Sequence, residues 1–262
     1  MAAVVSTYLD LQGLNNTRDL GGMRTKDGRA IRSDKLIRSG KLTGLKDKDW
    51  FSQHIALVVD LRSTKECTDN PDPTIADVEY LHLPIFEMRA SGVTRDKESD
   101  RGMAALDPES ALQRMAGVYK SFLTNEFSLS QYRRFVRLLL EPREKAVLWH
   151  CSAGKDRTGV GALFVQELLG VDRADIVADY MISNAYLEEE IRQQCEERGR
   201  QIGGLDETAE TVMRCFLGAH EEYPLTVYQT AEELYGDFEG FIRNGLGITG
   251  AERETLRQMY LA

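Results

Sequence analysis

Residues 145–159, KAVLWHCSAGKDRTG, constrain the fold more than any other stretch of the chain. An apolar run ends in a His-Cys pair, three small residues follow, and an apolar pattern of helical period begins near Arg157. The spacing predicts a strand over 145–150, a tight loop, and a buried helix that Gly170 terminates. A loop of this kind faces the positive end of the helix it feeds. Ser152, Ala153 and Gly154 carry little side chain, so successive backbone N–H groups can turn inward as an anion-binding nest. Arg157 offers a planar fork that grips two oxygens at once, which Lys cannot do. The same positive surroundings favour thiolate over thiol at Cys151, giving a nucleophile beneath a bound anion. His150 suits an orienting hydrogen bond to backbone better than a base. Thr158 sits where a hydroxyl could bond the thiolate or assist breakdown of a covalent intermediate.

The rest of the chain supplies the frame. HIALVVDL over 54–61 predicts a buried strand, and the alternation of VEYLHLPI over 78–85 predicts another that stops near Pro84. Helical patterns cover 108–124 and 128–141, the second with Phe135, Leu138 and Leu139 on one face and a cap at Ser128. Beyond Gly170 they continue over 172–197, 206–218, 225–236 and 249–261. Strands separated by helices give an α/β fold, a central mostly parallel sheet flanked by helices with a helical C-terminal third. The expected organisation is one domain over 1–262, with 172–262 a helical extension or cap on the same core. Residues 89–103 (RASGVTRDKESDRGM) are charged and aperiodic and read as a loop.

Bulk properties exclude several classes. A net charge of −9 and a pI of about 5.1 argue against a nucleic-acid or anionic-membrane surface. Four cysteines, none in CxxC spacing, make neither a disulfide scaffold nor a zinc pair. His54, His82 and His220 have no ligand-like spacing, so no metal and no cofactor are expected. The start lacks the basic and apolar regions of a signal peptide, and no apolar run approaches the roughly 18 residues of a bilayer span. A cytoplasmic location is therefore expected, with export lacking an N-terminal signal left open.

HCSAGKDRTG resembles the HCxxGxxRT signature of the cysteine phosphatase superfamily. Two further strings narrow the resemblance to the atypical bacterial and fungal tyrosine and lipid phosphatases. One is Asn16-Thr17-Arg18-Asp19-Leu20-Gly21-Gly22; the other is Asp60-Leu61-Arg62-Ser63 with Glu66. The resemblance implies hydrolysis of phosphate monoesters without metal. Cys151 takes the phosphoryl group, Arg157 holds it, an acid protonates the leaving oxygen, and water releases phosphate. The implied substrate is phosphotyrosine in a protein or a phosphoinositide, with an inositol polyphosphate as a further candidate. Lys155 resembles the lipid-directed members, where it meets extra phosphates. Asp156 resembles the myotubularins and atypical bacterial enzymes, where it is proposed as the acid.

Asp156 is the preferred acid, with Asp60, Glu87, Asp96 and Asp100 as alternatives, because no W-P-D pattern is present. Arg62 either reaches the phosphate or a loop carbonyl, or pairs with Asp60 or Glu66. Asn16, Arg18 and Asp19 read as polar side chains bracing the loop, with Gly21 and Gly22 making a turn. Cys195 and Cys215 read as small core residues; Cys67 reads the same way, or as a partner for oxidised Cys151. Rival readings are a non-catalytic phosphate-binding module and sulfur or arsenate chemistry on a similar loop. The intact Cys151, Asp156 and Arg157 argue against the first, and the Arg-Thr-Gly helix start against the second.

Overall fold

The computed structural model describes residues 5–87 and 106–262. The 89–103 loop, with Asp96 and Asp100, lies outside the described residues. Six strands run in chain order: β1 (Thr7–Tyr8), β2 (Arg18–Asp19), β3 (Leu36–Ser39), β4 (Ile55–Asp60), β5 (Glu79–His82) and β6 (Ala146–His150). They form one sheet in the order β1-β2-β3-β6-β4-β5. The four strands from β3 to β5 are mutually parallel, and β1 and β2 add an antiparallel edge. This is the mostly parallel α/β sheet expected from the sequence.

Alternation along the central strands feeds a core on each face. Leu57 and Val59 of β4 and Val147 and Trp149 of β6 point into the larger cluster, while Val58 and Leu148 point into the smaller. The smaller cluster is closed by α1 (Lys48–His54) through Phe51. The larger takes α3 (Pro108–Thr124), α4 (Glu126–Leu138) and α5 (Asp156–Leu169). It also takes residues from α6 (Arg173–Met181), α8 (Glu207–Leu217), α9 (Glu222–Tyr235) and α10 (Gly250–Tyr260). Between α6 and α8 lies α7 (Ser183–Ile202), and between β4 and β5 lies the short α2 (Thr64–Asp69).

Two sequence expectations change in detail and a third holds. The helix expected to begin at Ser128 begins at Glu126, because the Asn125 side chain accepts from Ser128 N and caps it. The Ser128 hydroxyl instead donates to Ile85 O at 2.7 Å. The single pattern over 172–197 is two helices, α6 and α7, separated at Ile182. Gly170 does end α5, in the left-handed region at φ 91° that a side chain would strain. Among the described residues, no helix is long and apolar enough to cross a membrane.

Candidate active site

The chain from Cys151 to Arg157 leaves β6 and enters α5 at the C-terminal end of the sheet, between the ends of β3 and β4. Gly154 makes the turn possible. Its φ is +69°, and a Cβ there would lie 2.6 Å from the backbone of Ser39 and Gly40. Every carbonyl over the bend is held from outside. Ser152 O accepts from Lys41 N at 3.1 Å, Ala153 O from Asn16 Nδ2 at 3.0 Å, and Gly154 O from Arg38 Nη2 at 3.0 Å. Further on, Tyr132 donates to Arg157 O at 2.9 Å and Trp149 Nε1 to Thr158 O at 3.1 Å. Cys151 is buried at 1% exposure, and Thr158 Oγ1 has no hydrogen-bond partner among the described residues.

Arg157 is buried against Glu66. Its Nη1 and Nη2 reach the two carboxylate oxygens at 2.7 and 2.9 Å, and the Ser152 hydroxyl donates to the same group. Burial opposes the Arg157 charge, but Glu66 and Cys151 outweigh it and raise its pKa. Burial likewise works to raise Glu66, and Arg157 prevails, holding the carboxyl at about 2.

Asp156 opens α5, with Oδ1 accepting from Tyr119 at 2.6 Å and lying 3.4 Å from Lys155 Nζ. Tyr119 is in turn 2.7 Å from the Tyr180 hydroxyl, and burial together with the Asp156 charge pushes Tyr119 well above its ordinary pKa. Lys155 follows a different course from the one its position in the string suggests. It is buried, and its Nζ donates to Phe216 O and Gly218 O, both at 2.7 Å.

At the end of β4 lies a four-charge network. Arg62 donates to both oxygens of Asp60, to Asp72 at 2.7 Å and to Asn70 O at 2.8 Å. This is the ion-pair arrangement with Asp60 that the sequence left open beside phosphate contact; Glu66 is taken by Arg157 instead. His150 Nε2 lies 3.1 Å from Asp72 and 3.8 Å from Asp60 without a formed hydrogen bond to either, while Nδ1 is 3.2 Å from Cys151 O. Burial lowers the His150 pKa, but Asp60 and Asp72 outweigh it and the net direction is upward. Burial would raise Asp60, yet His150 and Arg62 keep its carboxyl well below the usual range. Asp60, Asp72 and His150 lie close enough to ligate one ion. The Arg62 guanidinium already pairs with both carboxylates there, so the donor set suits a salt-bridge network better than a metal.

Asn16 and Arg18 sit behind the loop, whereas Asp19 holds the turn that follows β2. Arg18 donates to Asn16 Oδ1 and to Asp179 O at 3.0 Å, and Asp19 accepts from Gly21 N at 2.9 Å and Asp34 N at 2.7 Å. Burial pulls Arg18 down to about 9, with the adjacent Arg38 adding to the effect. Arg38, Asp72, Tyr119 and Asp179 all touch this machinery and stand outside the recognised strings. Only a buried charge at a strand end, as in the LIRS of β3, could have pointed to Arg38. Glu87 is exposed at the edge of the described residues.

A model of the tyrosine phosphatase family matches residues 9–262. The chain belongs to that family. That family carries out cysteine-based phosphatase chemistry on phosphorylated substrates. The triple specificity protein phosphatase PtpB of Mycobacterium tuberculosis is 30% identical over 280 residues, 96% of this chain and 98% of that one. A tyrosine-protein phosphatase of Nostoc commune is 28% identical over 235 residues, 87% of this chain and 74% of that one. The solved structure of P. aeruginosa TpbA, 16% identical over 78% of this chain and 90% of that one, has a TM-score of 0.25, too weak a likeness to add to the fold.

Proposed function

We propose that this phosphatase hydrolyses phosphotyrosine in proteins with Cys151 as nucleophile, Arg157 as phosphate clamp and Asp156 as general acid. The observation that carries the reading is the loop itself. Cys151 and Arg157 flank a bend whose carbonyls are all held outward, at the start of a buried helix. That leaves the N–H groups of Ser152, Ala153, Gly154 and Lys155 as the natural cradle for phosphate oxygens.

In this reading the Cys151 thiolate attacks phosphorus, the S–P bond forms and the P–O bond to the tyrosyl oxygen breaks. Asp156 gives its proton to that oxygen. Water then attacks the phosphocysteine, Asp156 takes a proton from it, and the S–P bond breaks to release phosphate and thiolate. Asp156 suits the part because Oδ1 is fixed by Tyr119 while Oδ2 has no hydrogen bond among the described residues. Asp60 suits it poorly, since His150 and Arg62 keep it ionised despite burial. His150 and Thr158 orient the loop and thiolate, and Asn16 and Arg18 brace them.

The name of the Mycobacterium tuberculosis relative, a triple specificity protein phosphatase, supports a range wider than phosphotyrosine. Phosphoinositides are the second substrate class; to meet one, Lys155 must leave the carbonyls of Phe216 and Gly218. The reading treats residues 1–262 as one catalytic domain, the C-terminal helices sharing its core.

The test is phosphate release, with chelator present, by wild type, Cys151→Ser and Asp156→Asn. Substrates are p-nitrophenyl phosphate, a phosphotyrosine peptide, phosphoinositides and an inositol polyphosphate. Turnover by wild type and none by Cys151→Ser is expected. Asp156→Asn should lose about 100-fold on the peptide and far less on the activated aryl ester. Equal losses on both would remove Asp156 as the acid, and an active Cys151→Ser would remove the nucleophile.

A further inference from the structure

Three consecutive peptide planes form the phosphate nest, and each is fixed by a hydrogen bond to its carbonyl. In a trans peptide the C=O of one residue and the N–H of the next point to opposite sides. Pinning the carbonyls of Ser152, Ala153 and Gly154 outward therefore aims the N–H groups of Ala153, Gly154 and Lys155 inward. The first pin is a backbone group, Lys41 N, which the β3 turn supplies. The other two are side chains, Asn16 Nδ2 and Arg38 Nη2, each 3.0 Å from its carbonyl.

Both side chains trace back to Asp179, Arg38 through the carboxylate and Asn16 through the main-chain carbonyl and a longer carboxylate contact. Arg38 Nη1 donates to Asp179 Oδ2 at 3.0 Å. Asn16 is oriented by Arg18, which donates to its Oδ1 and to Asp179 O at 3.0 Å, with Nε 3.7 Å from Asp179 Oδ1. Arg18 and Arg38 are direct cross-strand partners between β2 and β3, an arrangement of like charges that costs energy unless an anion lies beside it. Asp179 is that anion. It is fully buried, and Gln166 Nε2 at 3.0 Å, Ser6 N at 3.0 Å and the Ser6 hydroxyl complete its hydrogen bonds. Two guanidinium groups and one carboxylate leave a net positive charge beneath the nest.

We propose that Asp179 is a positioning residue for phosphate binding, fixing two of the three nest planes through Arg38 and through Arg18 and Asn16. It lies in α6, outside every string that marks the loop, and touches no substrate. The inference rests on the reading of residues 151–157 as the phosphate site.

Orthovanadate, a phosphate mimic, tests it through inhibition of p-nitrophenyl phosphate hydrolysis. Asp179→Asn keeps the shape and removes the charge; both the orthovanadate Ki and KM should rise about tenfold or more, with kcat falling as well. Removing one partner of a buried charge cluster can prevent folding, so Arg38→Lys is the second variant. It keeps a cation beside Asp179 but cannot also reach Gly154 O. Folded Arg38→Lys, melting within a few degrees of wild type, should show the same rise in Ki. A merely structural brace would lower the melting temperature and leave Ki unmoved. A Ki within about twofold of wild type in folded Arg38→Lys overturns the proposal. A wild type that neither hydrolyses the ester nor binds orthovanadate would overturn the phosphate-site reading itself, which separates the two failures.

Discussion

Glu66 accepts from both terminal nitrogens of Arg157, at 2.7 and 2.9 Å, while closing the capping box of its own helix. Its Oε2 takes Ser63 N at 3.0 Å and the Ser63 hydroxyl at 2.8 Å. One carboxylate therefore fixes the start of α2 and the plane of the guanidinium proposed as the phosphate clamp. The D-L-R-S-x-x-E spacing gains a physical reason: Ser63 caps the helix so that Glu66, one turn in, reaches across to the loop.

Glu66→Gln should lower kcat/KM about 10- to 100-fold by loosening Arg157. It should also remove stability of about 2 kcal/mol at neutral pH. The Glu66 carboxyl is held down at about 2, so its contribution is complete above the unfolded carboxyl pKa of about 4.3 and is lost as pH falls toward 2. Urea unfolding of both proteins at pH 7, 5 and 3 checks this. The gap should be widest at pH 7 and shrink at pH 3; a constant gap would mean that Glu66 acts by shape alone.

His150 supplies a prediction of opposite sign. Its pKa is raised, because Asp60 and Asp72 outweigh burial. The stability it adds is complete below about 6.5, the unfolded value, and is lost as pH rises through the higher folded value. Wild type should thus lose melting temperature from pH 6.5 upward, and His150→Asn should start lower and stay flat over that window. Parallel curves would show that the imidazolium contributes nothing.

The sequence made the strands that lead to Asp60 and Cys151 legible because IALVVD and AVLWH are buried on both faces, and such runs leave few alternatives; the order of the strands and β3 were not read from it. It was silent on β1 and β2, which are two residues each, too short for any alternation to register. The loop could be read because its proposed chemistry is local: Cys151, the small residues and Arg157 lie within seven positions. Asp179, Arg38 and Tyr119 could not, because each works across more than thirty residues of chain, through the fold rather than through spacing.

Cys67 is a weak candidate to trap an oxidised nucleophile. Its thiol lies 3.2 Å from Asp60 Oδ2, and burial together with the Asp60 charge pushes its pKa up to about 12. At pH 8 only about one molecule in ten thousand would carry that thiolate. Iodoacetamide at pH 8, read by peptide mass spectrometry, should leave Cys67 unlabelled in folded protein. Cys67→Ser should inactivate with peroxide and recover with dithiothreitol at the wild-type rates; slower recovery would restore a role for Cys67.

Lys155 separates a structural role from a substrate-reading one. Its ammonium caps the carbonyls of Phe216 and Gly218 where α8 ends, tying the phosphate loop to the C-terminal helices. Lys155→Met keeps the length of the side chain and removes the donor. Two buried carbonyls then lose a charged partner, at about 1–2 kcal/mol each. Guanidinium unfolding should therefore show a lower midpoint with an unchanged slope, while kcat/KM for a phosphotyrosine peptide stays within about fivefold of wild type. KM for a phosphoinositide decides the remaining question. If it rises no more than KM for the peptide, the side chain stays on its carbonyls during turnover. If it rises about tenfold while KM for the peptide holds, Lys155 leaves them to meet a second phosphate.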